Sequence, residues 1–202
     1  MKQFICACLF LLGSVVAFSQ SEIGEKKSTY GIYMGLNHSD LTVKELPTNA
    51  VILTGLGFQL GILADFHYKN WLSFSPKAEL SFNTANIDIA NSTTTGTYQV
   101  MPVNVGLIGY LKFKIPNNRL EPYVYVGPHY RLSLTQNTGS SSEFPTESGL
   151  SFDIGIGTTK VLERFAFAPE LRYSHGFENV NGNPLIQNTT YHNLSLIFNF
   201  LR

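Results

Sequence analysis

The chain has 202 residues, with 14 Lys and Arg against 14 Asp and Glu, so its formal net charge is zero. Charged residues make up only 14% and aromatics as much as 13%, where a soluble domain carries about 25% charge. No basic excess supports nucleic acid as a partner, no apolar run is long enough for a bundle of spanning helices, and the aromatic content argues against disorder.

In chain order, Met1-Lys2-Gln3 gives a positive start, residues 4–18 an apolar run, and Ala17-Phe18-Ser19 a small-residue cleavage site. This reads as a secretory signal peptide over residues 1–19, too short to span a membrane as a helix. Cys6 and Cys8 lie early in that run, with most of the apolar stretch after them, which argues against a lipoprotein. Both leave with the signal, and the mature chain then has no thiol or disulfide chemistry. Residues 20–29 form a short periplasmic N-terminal segment, and 30–202 a single domain.

Strand-like segments follow at 30–38, 57–68, 71–83, 98–113, 122–134, 150–161, 165–175 and 191–200. Glycine and proline are spread too widely for long helices. The connections alternate in length. Lys69-Asn70, residues 114–121 (KIPNNRLE) and Leu162-Glu163-Arg164 are short; residues 39–56, 84–97, 135–149 and 176–190 are long and polar. Short turns on one side and long loops on the other are the topology of outer-membrane barrels, and eight is the smallest strand number of that class. Two segments invite closer attention. Pro102 within the fourth strand must fall at a bulge or a weakly paired position, and Ala50-Val51-Ile52-Leu53 offers an extension of the second strand beyond the membrane.

Reading each strand in twos separates two faces. Leu72, Phe74, Pro76, Ala78, Leu80 and Phe82 oppose Ser73, Ser75, Lys77, Glu79 and Ser81. Leu150, Phe152, Ile154 and Ile156 oppose Ser151, Asp153, Gly155 and Gly157; residues 193–202 (NLSLIFNFLR) repeat the pattern with Leu194, Leu196, Phe198 and Phe200. Every charge borne on these strands lies on the polar face. Periodicity alone would suit a soluble sandwich with its faces inverted. The leader, the loop alternation and the sparse charge favour a lipid-facing apolar side, and lipid-exposed strands must close so that no edge stays unpaired. The expected fold is therefore all-β: a closed antiparallel up-and-down transmembrane β-barrel of about eight strands, with short periplasmic turns and longer outer loops, in the outer membrane of a Gram-negative bacterium.

The inward charges nearly balance, Asp65, Glu79, Asp153 and Glu170 against Lys77, Arg131, Arg172 and Lys112. An eight-stranded barrel is only wide enough for side chains to fill, and buried charges must be paired. The expectation is a closed interior zipped by ion pairs, with a structural role for Asp65, Lys77, Glu79, Arg131, Asp153, Glu170 and Arg172. The rival is a conductive lining, a narrow porin-like conduit for small solutes.

Chemistry finds little support. His38-Ser39-Asp40 and Ser174-His175 lie at outer strand ends, where enzymes of envelope lipid place Ser and His, but neighbours on one strand do not make a triad. His67, His129 and His192 lack metal-ligand spacing. Gly155-Ile156-Gly157 leads into more strand instead of a phosphate-binding helix, and the Asn-x-Ser/Thr sites at Asn37, Asn91, Asn188 and Asn193 are background in an Asn- and Thr-rich chain. No catalytic residue, metal or cofactor is expected.

Several stretches resemble the PorT-like outer-membrane β-barrel family of Bacteroidetes: MPVNVGL from Met101, EPYVYVGP from Glu121, FDIGIG from Phe152, APELRYSHGF from Ala168 and, earlier, FSPKAEL from Phe74. The resemblance spans essentially the whole mature chain and implies an eight-stranded outer-membrane protein without a catalytic motif. It places Asp153, Glu170 and Arg172 at scaffold positions. The founding member is an accessory of the type IX secretion system, so outer-membrane lipid and envelope or secretion proteins are the partners it implies. The expected function is a non-enzymatic structural, interaction or secretion-accessory role; the alternatives are the conduit and an envelope-lipid enzyme.

Overall fold

The computed structural model describes residues 27–43, 50–84, 86–91, 94–99, 102–115, 120–134, 148–177 and 189–202. The expected signal peptide, residues 20–26, Asn188 and the loop over 135–147 lie outside these. In chain order the strands are β1 (Ser28–Val43), β2 (Ala50–Leu53), β3 (Gly55–Lys69), β4 (Leu72–Phe82), β5 (Asn86–Asn91) and β6 (Thr94–Gln99). They continue with β7 (Val103–Lys114), β8 (Pro122–Ser133), β9 (Gly149–Thr158), β10 (Lys160–Val161), β11 (Ala166–Gly176) and β12 (Thr189–Leu201).

Eight of these are staves of one closed sheet, each pairing antiparallel with its neighbour in the order β1, β3, β4, β7, β8, β9, β11, β12. β12 returns to β1 from Val43↔Thr189 to Gly31↔Leu201, and that seam closes the ring. Closure leaves no backbone edge exposed, which a wall facing hydrocarbon requires.

Alternation along each stave sets the two surfaces. The burial of β4 alternates residue by residue, with its even-numbered side chains partly exposed and its odd-numbered ones buried. Outward lie Ile32, Met34, Leu60, Ile62, Leu107, Ile154, Leu171 and Leu196, all exposed. Aromatics gather above and below this aliphatic band. Phe58 stacks on Phe82 at 4.5 Å near the long-loop end, and Trp71 on Phe113 at 6.3 Å near the short-turn end. Phe167 stacks on Phe198 at 6.1 Å at that same end. Two aromatic girdles around an apolar band are the surface of a membrane barrel.

Four details differ from the sequence reading. Pro102 sits just before β7, and its carbonyl accepts from the Asn83 amide at 2.9 Å, so no ladder position is lost to the proline. Ala50–Leu53 does not extend the second stave; it pairs with β5, and β5 pairs with β6, in a separate three-stranded sheet. The segment over 84–97 is thus a hairpin, although its Thr- and Asn-rich composition reads as loop. Finally, β1 runs to Val43, which puts Asp40 on the outward face near the long-loop end, so the segregation of charge holds within the band and not at its rim. At the other end the β7–β8 turn closes through Glu121, whose φ of 37° lies in the left-handed region.

Candidate functional site

Inward side chains of opposing staves meet across the lumen and fill it. All seven expected interior residues, Asp65, Lys77, Glu79, Arg131, Asp153, Glu170 and Arg172, are buried there, and so is Lys112. They form three groups along the barrel axis.

Toward the short-turn end, Lys77 Nζ lies 2.7 Å from Glu170 Oε2, and Lys112 Nζ bridges Asp65 Oδ1 at 3.1 Å and Glu170 Oε1 at 3.4 Å. Tyr123 donates to Glu170 at 2.8 Å. The Lys77 ammonium also faces the rings of Tyr33, Tyr110 and Tyr125 at 5.0, 5.4 and 5.8 Å. A desolvated ammonium gains from aromatic faces as well as from its carboxylate, so Lys77 is held from four sides.

At mid-barrel Arg172 is the hub. Its Nη2 donates to both Glu79 oxygens at 2.9 and 3.1 Å and to Gln59 Oε1 at 2.8 Å, while Nη1 donates to the Tyr110 hydroxyl at 3.3 Å. Asp153 Oδ2 stands 3.8 Å from its Nε. Asp153 also accepts from Tyr110 at 2.5 Å and meets His129 Nδ1 at 3.0 Å, and Glu79 accepts from Tyr33 at 3.0 Å. Hydrogen bonds with an ionised partner are stronger than neutral ones, and each of these carboxylates has several.

The third group lies toward the long-loop end. Arg131 donates to Ser151 Oγ at 2.6 Å and its guanidinium faces the Tyr191 ring at 5.3 Å. It makes no ion pair with a described carboxylate, whereas the other six are each ion-paired. Around it Ser39 and Tyr191 share a hydrogen bond of 2.5 Å, and Asn193 donates to both.

Packing makes room for these groups with glycine. Gly155 and Gly157 stand directly opposite Tyr125 and Tyr123 in the β8–β9 ladder. A Cβ on Gly157 would come within 2.5 Å of the Tyr123 ring, and one on Gly155 would meet the Tyr125 ring more closely still. The tyrosines lie flat over the strand because that strand has no side chain there.

Tyr33 and Tyr110 were not singled out from the sequence, yet both hydroxyls anchor carboxylates. Their signal was available in the period-two pattern, because Tyr110 shares a face with Lys112 and Tyr33 with Asn37. The rim candidates are separated by the same alternation. Ser39 points inward while His38 and Asp40 point outward; Ser174 is inward and His175 outward, beside His192 at 4.7 Å between ring centroids. These residues do not converge into a nucleophile–base arrangement. His67 joins Thr29 at 3.0 Å and Ser73 at 2.7 Å near the short-turn mouth. Ile156, between Gly155 and Gly157, faces outward in regular strand, while Asn37 and Asn193 are buried. Among the described residues no group of three His, Cys, Asp or Glu side chains is placed to hold a metal ion.

Comparison with known proteins agrees with this geometry. The sequence profile of a family described as an outer membrane protein beta-barrel domain matches residues 5–200. No curated protein matches the chain in sequence. Among solved structures the chain is similar to Neisserial surface protein A (NspA), at 14% identity over 85% of this chain and 96% of that one, with a TM-score of 0.53; the likeness is one of fold. It also aligns with Ail, the attachment invasion locus protein of Yersinia pestis, at 13% identity over 87% and 99% of the two chains, with a TM-score of 0.46.

Proposed function

The chain belongs to the family of outer membrane protein beta-barrel domains, and on that premise we propose that it is a non-enzymatic barrel with a closed interior whose work is done at its loops. The observation that carries this reading is the filled lumen. Its largest fully buried side chains include Arg172, Tyr110, Tyr125, Tyr191 and Lys112, and six of the seven expected interior charges are ion-paired. A conduit would need these groups hydrated and apart.

The protein is exported across the inner membrane behind the signal peptide of residues 1–19 and inserts with its short turns and both termini of the mature chain in the periplasm. Its long loops then face outside, where β2, β5 and β6 extend them into a small sheet. The PorT-like stretches, together with the separation of the rim serines and histidines among the described residues, support an accessory of secretion or envelope assembly in a Bacteroidetes cell. Its partners are then outer-membrane lipid and an envelope protein.

Purification of the tagged protein from native outer membranes in mild detergent, with mass spectrometry of the eluate, tests the role. A stoichiometric envelope or secretion component is the expected result, and deletion of 86–99 identifies whether the loop sheet holds it. A barrel that elutes alone, with lipid A of altered mass on gene deletion, contradicts the accessory role and favours an enzyme.

A further inference from the structure

At the long-loop end, the outer face of β1, β12 and β11 carries a row of three polar side chains. Asp40 stands opposite His192 in one ladder, and His175 stands opposite His192 in the next. All three point away from the lumen, with Asp40 and His175 exposed and His192 half-buried. The two imidazoles lie close, with ring centroids 4.7 Å apart and planes 38° from parallel. Two imidazoles that share one ion, each nitrogen about 2.0–2.1 Å from it, have centroids roughly 4.5–5 Å apart. Only the β11–β12 ladder brings this pair together, so no spacing along the sequence announces it.

The ring nitrogens of His192 are unequally engaged. Nε2 lies 3.3 Å from Thr190 Oγ1, whereas Nδ1 is enclosed and has no hydrogen-bond partner. Thr190 Oγ1 itself donates to the Thr42 carbonyl at 3.4 Å, which leaves its oxygen to accept from Nε2–H. In that tautomer the lone pair of His192 sits on Nδ1, and ligating histidines are commonly fixed through their other nitrogen in this way. Aromatic rings brace the pair from either side: Phe177 stands edge-on to His175 at 5.1 Å, and Tyr173 lies parallel to His192 at 6.5 Å. Asp40 adds a negative charge beyond His192, and the described outward positions around the row carry no Lys or Arg. We propose that His175 and His192 form a two-histidine surface site for a divalent transition-metal ion of the kind imidazole prefers, Cu²⁺, Ni²⁺ or Zn²⁺. No third His, Cys, Asp or Glu among the described residues converges on the pair, so water completes the shell and Asp40 acts through its charge. Hard cations such as Mg²⁺, which take oxygen ligands, do not fit it.

The test uses Ni²⁺ on the untagged barrel folded in phosphatidylcholine vesicles, with urea unfolding as the readout. An ion held by two groups that only the folded sheet brings together stabilises the fold by mass action. Ni²⁺ at about 1 mM should move the unfolding midpoint to higher urea, and Mg²⁺ at the same concentration should not. Either His175→Gln or His192→Gln alone should abolish the shift, while His38→Gln, at a position opposite Leu194, should keep it. No shift in the unaltered protein, or one that survives either His175→Gln or His192→Gln, overturns the site. Should a variant fail to show the gel mobility of a folded barrel, Cu²⁺ bound to the unaltered protein decides. Its pulsed electron paramagnetic resonance should show modulation from two coordinated imidazoles; one imidazole or none overturns the pairing.

Discussion

Arg172 joins four groups of the lumen, bonding Glu79, Gln59 and Tyr110 and standing beside Asp153. Removing one partner of a buried pair leaves the other charge stranded, at a cost of about 3–5 kcal/mol. Arg172→Leu should therefore lower the temperature at which the folded barrel unfolds on a gel, and adding Glu79→Gln should recover part of the loss, since the two act on one interaction. Unchanged stability in the single variant would sink the ion-pair network. Glycine makes a second contrast. Gly155→Ala drives a methyl into the Tyr125 ring and the Leu171 carbonyl, an overpacking of about 1–3 kcal/mol. Gly109→Ala meets only Phe74, at 3.6 and 3.7 Å, which is ordinary contact. Urea unfolding of the two variants should separate them, with Gly109→Ala near the unaltered protein.

At the scale of the strand, the period-two pattern carries most of the information. Ile154 is 54% exposed while its neighbour Asp153 is fully buried, and lipid on the outside makes that difference expensive to violate. Ile154→Lys should cost about 2–4 kcal/mol if the site faces the bilayer centre, read as unfolding at lower urea in lipid vesicles; a neutral result would place the apolar band out of the membrane. The faces of β4, β8, β9 and β11 were legible in the sequence because a one-residue slip would expose Lys77, Arg131, Asp153 or Glu170 to hydrocarbon. Which charge meets which was not legible. Lys77 on β4 reaches Glu170 on β11 across the lumen, a contact set by closure and by the rotamers of the tyrosines between them. Pairing in β5 and β6 escaped for a different reason: Thr- and Asn-rich composition marks loops and exposed strands alike. Because the stave ladders lie outside 86–99, removing that hairpin should leave the heat-shifted gel mobility of the barrel unchanged.

For the whole molecule, the described wall keeps the charges of its apolar band inside, with tyrosines packed among them, and gathers other aromatics in two belts outside. Among the described buried side chains, four inward carboxylates, Asp65, Glu79, Asp153 and Glu170, balance four inward cations, Lys77, Lys112, Arg131 and Arg172. Arg131 stands apart at the long-loop end, on Ser151 and the Tyr191 ring. Tyrosines lie between the two lower groups, with Tyr110 and Tyr125 centred 4.7 Å apart. An eight-stranded wall leaves space for little more. The central claim is that this filling seals the barrel. Single-channel recording of the purified, refolded protein in planar lipid bilayers tests it most directly. The account predicts no stable unitary current at any moderate voltage, whereas reproducible steps of uniform conductance would contradict it and make the inward charges the lining of a pore.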